Sequence, residues 1–134
     1  MLSPVTGMDE VADARLAVIR RLWDVVWRDF DVAAIDDLMS ERYIRHNAAG
    51  TQVLSRAELK DAFVQYQRVL HAPVTTVDSW AQEGDVVFVR ATSRGVNIET
   101  GRPQVVTWMA SYRFEGSRIA EGWIATVPDV DWEA

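Results

Sequence analysis

The chain has no cysteine, a single lysine (Lys60) and two histidines (His46 and His71) among its 134 residues. Without thiols it has no disulfide, no thiolate nucleophile and no zinc-thiolate site. A Schiff-base mechanism would fall to Lys60, which lies on the polar side of a helical pattern and is set aside. No apolar run approaches the eighteen or so residues of a membrane helix. The opening Met1-Leu2-Ser3-Pro4-Val5 lacks the basic and apolar regions of a secretory signal, so cytoplasmic residence is the expectation. There is no glycine-rich phosphate loop, no serine elbow and no metal-ligand spacing between a carboxylate and either histidine, so no metal and no cofactor are expected. A formal net charge of −6, with the acids interspersed among thirteen arginines, offers no basic patch, and neither nucleic acid nor membrane is an expected partner.

What is present is an ordinary globular composition, 49% hydrophobic and 25% charged, in a length that suits one domain with a single core and an internal pocket. From Asp9 to about Phe30, apolar residues recur at Ala12, Leu16, Ile19, Trp23, Val26 and Phe30, the pattern of a long amphipathic helix. A short helix is expected from Val32 to Met39, capped by Asp31. Ser55-Arg56-Ala57-Glu58 is a capping box, and Leu59, Ala62, Phe63, Tyr66 and Leu70 continue one face until Ala72-Pro73 ends a third helix. Beyond Pro73 the residues become β-branched and aromatic, with turn signals at Gly84, Gly101 and Gly116. Four antiparallel strands follow, at about Val74–Trp80, Val86–Ile98, Gln104–Phe114 and Arg118–Val127. Residues 1–8 and 128–134 are expected to be loose tails.

One face of the second of these strands carries Val87, Val89, Ala91 and Ser93, the other Phe88, Arg90, Thr92, Arg94 and Val96. Neither is wholly polar, so both are expected to be covered. In so small a domain the helices cover only one, which leaves the other to a second copy of the chain. A homodimer through the sheet is the expectation.

The densest chemistry lies in Tyr43-Ile44-Arg45-His46-Asn47, between the helical third and the strand-rich remainder. His46 stands out because imidazole titrates near working pH. It is either an acid–base group or a structural histidine tying this rim to the sheet. His71, directly after the third helix, is expected to meet the last carbonyls of that helix.

The order of three helices, rim and long sheet resembles the nuclear transport factor 2-like superfamily, and within it the SnoaL-like polyketide cyclase branch. The local carriers are Asp29-Phe30-Asp31, the Tyr43–Asn47 rim, Gln82-Glu83-Gly84-Asp85-Val86-Val87-Phe88 with Arg90 beyond it, and Tyr112-Arg113-Phe114-Glu115-Gly116-Ser117-Arg118-Ile119-Ala120-Glu121-Gly122-Trp123. The resemblance implies an α+β cone over residues 1–134, in which a strongly curved antiparallel sheet wraps three N-terminal helices around an apolar pocket. It does not name a reaction, because the superfamily contains cyclases, isomerases, epoxide hydrolases, dehydratases and non-catalytic modules.

Departures from the relatives narrow the chemistry. Asn47 stands near the catalytic aspartate of the steroid isomerases and Ala110 where they carry a protonated aspartate. Arg90 matches the arginine of the epoxide hydrolases, but Thr92 and Ala125 replace their two acids. Proton transfer therefore falls to His46, with Tyr43 and Asn47 orienting substrate or water and Arg90, on the inward strand face, stabilising negative charge. Trp27, Phe63, Phe88, Thr92, Trp108 and Trp123 are the expected substrate-binding wall, whereas Trp23 reads as core. Trp132 is an entrance lid, a dimer anchor or part of a mobile end. The leading expectation is a cofactor-independent cyclase, isomerase or dehydratase acting on a small hydrophobic ketone or enone. A non-catalytic binding or dimerisation module is the alternative, and epoxide opening by His46-activated water is a third.

Overall fold

The structure, a computed structural model, describes residues 6–134; the expected loose N-terminal tail lies outside them before Thr6, and from Thr6 to Met8 it is helical instead. The first helix, α1 (Thr6–Arg21), continues as a wider π-helical segment, Leu22–Arg28, closed by the Asp29 amide donating to the Asp24 carbonyl at 3.1 Å. Leu16, Ile19, Trp23 and Val26 are buried, so the expected apolar stripe survives the change of pitch as far as Val26, but Phe30, expected to continue it, lies beyond the helix end at φ +57° and is exposed. A 3-10 turn (Val32–Ala34) and the single turn α2 (Ile35–Leu38) replace the predicted short helix. Asp31 makes no side-chain cap there; the turn is held by burial of Ile35 and Leu38 instead.

Two strands then precede α3, where the sequence pattern suggested only a rim: β1 (Met39–Asn47) and β2 (Gly50–Ser55). Their turn is closed by the Asn47 carboxamide oxygen, which accepts from the Ala49 amide at 2.9 Å, and by Gly50 at φ +103°. α3 (Arg56–Val69) starts at the predicted capping box: Ser55 Oγ accepts from the Glu58 amide at 3.1 Å, and Glu58 Oε1 accepts from the Ser55 amide at 3.0 Å. Then come β3 (His71–Glu83), β4 (Val86–Asn97), β5 (Arg102–Glu115) and β6 (Arg118–Pro128), joined at the predicted glycine turns. His71 opens β3 and is exposed; its imidazole makes no hydrogen bond to the α3 carbonyls.

The six strands form one sheet in the order β2-β1-β6-β5-β4-β3. The fold is the expected α+β arrangement with a curved sheet, and every pairing is antiparallel except β1 with β6, which is parallel. That pairing places Arg45 beside Gly122 and His46 beside Trp123. The helices pack on one side of the sheet and bury Val87, Val89, Ala91, Trp108, Ala110 and Tyr112. No helix among the described residues is long and apolar enough to cross a membrane.

Residues 128–134, expected as a loose tail, lie across the other side. The Asp129 amide donates to the Val105 carbonyl at 2.8 Å, and Thr107 Oγ1 donates to the Val130 carbonyl at 2.6 Å. Asp131 pairs with Arg94 at 2.7 Å and Glu133 with Arg90. Thr92 and Thr107 are fully buried on this otherwise outward face.

Candidate functional site

Strand alternation sorts the candidate residues into two compartments. Tyr43 and Arg45 of β1 face the helices, together with Trp108, Ala110 and Tyr112 of β5 and Gly122 and Ile124 of β6. Trp23 and Trp27 from the first helix, and Leu59, Phe63 and Tyr66 from α3, close this concave hollow. On the outer side lie Phe88, Arg90, Met109, Ser111, Trp123 and Ala125. The recesses on the two sides together enclose about 1340 Å³. Because the sheet lies between them, neither alone has that volume.

The hollow is aromatic. Trp23 meets Trp108 edge-on, with centroids 4.3 Å apart, and Phe63 meets Tyr66 at 5.2 Å. Trp108 Nε1 donates to Ser93 Oγ at 3.0 Å and Trp27 Nε1 to the Leu70 carbonyl at 3.1 Å, so both indole N–H groups are already engaged by protein. Free donors come from elsewhere. Tyr43 is 3% exposed, and its hydroxyl makes no hydrogen bond among the described residues. It sits in space that only glycine at 122 leaves open, since a Cβ there would lie 2.3 Å from Tyr43 Oη.

All three tyrosines of the chain gather here. Burial pushes Tyr43 well above its ordinary pKa, with Tyr112 and Tyr66 adding to the rise. Burial likewise raises Tyr66 and Tyr112. All three are therefore neutral donors at any working pH. Arg45, at the mouth, donates through its terminal nitrogens to the Tyr66 hydroxyl and to Gln52 Oε1. Among the described residues, no aspartate, glutamate or lysine lines either recess.

His46 is brought elsewhere. It follows Arg45 by one residue and so points to the outer side, stacked on Trp123 at 5.0 Å with 9° between the planes. Its Nε2 is 2.7 Å from Glu121 Oε2 and its Nδ1 is 2.8 Å from Thr51 Oγ1. Glu121 also accepts from Arg113 Nε at 3.0 Å. The His46 contact, then that of Arg113, holds the Glu121 carboxyl below its usual range.

Tyr43, Trp27, Phe63 and Trp108 come together in one hollow, while five other candidates sit elsewhere. Arg90, expected on the inward face, points outward to Glu133 and Asp78. Thr92 is also outward, its hydroxyl donating to Asp78 Oδ2 at 2.5 Å beneath the tail. Phe88 and Trp123 are 45% and 40% exposed on the outer side, and His46 lies beside Trp123. The reason is volume: the small residues Val87, Val89, Ala91 and Gly122 turn toward the helices to admit the indoles and phenols, which sends their bulky neighbours outward. Asn47 stays at the mouth with its carboxamide oxygen committed to the turn. Sequence reasoning missed Arg45 as a site residue, together with Tyr66, Tyr112 and Glu121. The i, i+2 step from Tyr43 to Arg45 was the available signal.

The SnoaL-like domain model matches residues 19–122, most of the chain. The chain belongs to the SnoaL-like family. Solved structures agree on the fold. A candidate polyketide cyclase from Acidithiobacillus ferrooxidans is 19% identical, with 87% of each chain covered and a TM-score of 0.76. A candidate SnoaL-like polyketide cyclase from Jannaschia sp. CCS1 is 15% identical over 87% of this chain and 86% of its own, with a TM-score of 0.72. IdmH, a candidate polyketide cyclase from Streptomyces antibioticus, is 24% identical over 86% and 91%, at 0.69. No curated protein matches the chain in sequence. The polar groups of the hollow are hydroxyls, the Asn47 and Gln104 carboxamides and one guanidinium, with no carboxylate among the described residues.

Proposed function

We propose that this SnoaL-like domain is a cofactor-independent enzyme of the cyclase or isomerase kind, acting in the concave hollow on a small, flat, apolar molecule with a carbonyl oxygen. The observation that carries the reading is the Tyr43 hydroxyl, which lines the hollow and has no hydrogen-bond partner among the described residues, on a residue only 3% exposed. A carbonyl oxygen from a ligand takes up that free donor, a hydrogen bond worth about 0.5–1.5 kcal/mol net. Donation strengthens as that oxygen gains charge on enolisation or ring closure, so the donor favours the transition state over the ground state. Trp23, Trp27, Phe63 and Trp108 form an aromatic wall that holds the flat substrate with its oxygen toward the donor, which supplies orientation. His46 faces the other compartment, so the α-proton leaves to water at the mouth near Asn47 and Ala49.

Deuterium exchange at the α-carbon of 2-tetralone, followed by mass spectrometry, tests the reading. The domain accelerates exchange, and Tyr43→Phe lowers that acceleration by about 10²–10³-fold, the usual effect of one oxyanion donor. The lack of a carboxylate in the hollow favours one second reading, a binding module without chemistry. Bound 2-tetralone with no accelerated exchange would establish it.

The outer side supports a homodimer. Phe88, Met109 and Trp123 are 45%, 50% and 40% exposed on adjacent strands, between the small residues Ala81, Ser111 and Ala125. We propose that a second copy covers this patch by an isologous contact. Light scattering should give twice the chain mass, and Met109→Lys should halve it.

A further inference from the structure

We propose that the concave hollow selects its ligand as an anion, a flat apolar compound with an ionised oxygen such as a phenolate or the enolate of a 1,3-dicarbonyl, and that Arg45 is the group that selects it. The proposal rests on the hollow being the ligand site and deepens that reading by naming the charge state bound.

Charge balance is the basis. The chain has an excess of acids, yet none of the ion pairs among the described residues includes Arg45. Its two terminal nitrogens meet only neutral oxygens, of Tyr66 and Gln52, and its Nε is buried without any partner. Every group lining the hollow that could answer this charge is neutral: Tyr43 from β1, Tyr66 from α3, Tyr112 from β5 and the indoles of the first helix. The nearest ionisable cluster, His46, Glu121 and Arg113, is paired within itself on the far side of the sheet. A half-buried guanidinium that lacks a counter-ion is costly to keep, and its fork geometry suits an oxyanion. Tyr43 supplies a second donor from the same strand, two residues away and on the same face. A neutral ketone would use the hydroxyl and leave the cation unanswered; an enolate or phenolate uses both.

The test is an optical titration of 6-nitro-2-naphthol, whose phenolate is coloured, with 2-nitronaphthalene as the neutral analogue of similar shape. Binding of each is followed through quenching of the tryptophans. With the wild-type chain, the naphthol ionises at a pH lower by at least about one unit when bound, roughly a tenfold preference for the anion. Arg45→Met removes that shift and leaves 2-nitronaphthalene binding unchanged; Arg45→Lys keeps part of it. Arg94→Gln, on the outer side, behaves as wild type. An unshifted or raised midpoint with wild-type chain overturns the proposal without any variant, as does a shift that persists in Arg45→Met or disappears in Arg94→Gln. If 2-nitronaphthalene binds while the midpoint does not move, the hollow remains the ligand site and only anion selection fails. If neither compound binds, both readings fail.

Discussion

Gly122→Ala isolates the contact that shapes the hollow. Replacing a strand glycine by alanine normally helps, by roughly 0.5–1 kcal/mol, because the unfolded chain loses freedom. Here the new Cβ would lie 2.3 Å from Tyr43 Oη and 3.1 Å from Cδ1 and Cε1 of Tyr112. Overpacking of that kind costs about 1–3 kcal/mol, so the sign reverses and the expected net loss is roughly 1–2 kcal/mol. The most severe clash is with a single atom, which makes a double-mutant cycle decisive. Tyr43→Phe removes Oη, and because that hydroxyl has no partner the single variant is expected to be neutral or stabilising by up to about 1 kcal/mol. In the Tyr43→Phe background Gly122→Ala then meets only the ring carbons of Tyr112, and its cost falls by about 1 kcal/mol or more. Urea unfolding followed by circular dichroism and tryptophan fluorescence measures all four corners. If Gly122→Ala costs the same in both backgrounds, within about 0.3 kcal/mol, Tyr43 is not where the geometry puts it and the account of the hollow fails. The same follows if Gly122→Ala stabilises the wild type.

Three further outcomes are expected. Ser55→Ala removes one half of the capping box at the start of α3 and should cost about 1 kcal/mol in the same unfolding assay; Ser55→Gly should cost less. Glu121 has a folded pKa below the ordinary 4.5, so its contribution is complete above that pH and is lost as pH falls through the folded value. Wild-type stability should therefore drop on acidification below about 4.5 more steeply than that of Glu121→Gln, and equal slopes would contradict the His46–Glu121–Arg113 network. Arg90→Ala and Arg94→Ala together should release the C-terminal segment, read as faster amide exchange at Asp129, whose amide donates to the Val105 carbonyl, with little change in global stability, since exposed pairs contribute only about 0–1 kcal/mol each.

Much of the architecture was legible because local chemistry and global packing agree in α3 and in β4 to β6: a capping box starts the helix, and glycines at φ +61°, +70° and +61° close the turns at positions 84, 101 and 116. β1 was not read as a strand because Ser40, Glu41, Arg42, Arg45 and His46 interrupt any apolar alternation, and its parallel pairing with β6 is a contact across most of the chain. The site was half legible. Tyr43 and His46 sit three residues apart and read as one cluster, but an odd step along an extended strand separates them to opposite sides. Arg90 was drawn inward by analogy with relatives, whereas the small size of Val89 and Ala91 sends the arginine out. Glu121 went unnoticed because its partner, His46, is 75 residues away.

The sheet separates the hollow from the outer patch by the thickness of one backbone, and their residues interleave one by one. Gly122, Ile124 and Thr126 on β6 belong to the hollow, and Trp123 and Ala125 to the outer patch. Point substitutions can therefore alter the hollow and the outer patch independently, even at adjacent codons. A single-residue insertion or deletion in β6 would exchange the two sets and present Trp123 to Tyr43, so this family member is free to drift by substitution while its strand lengths stay locked.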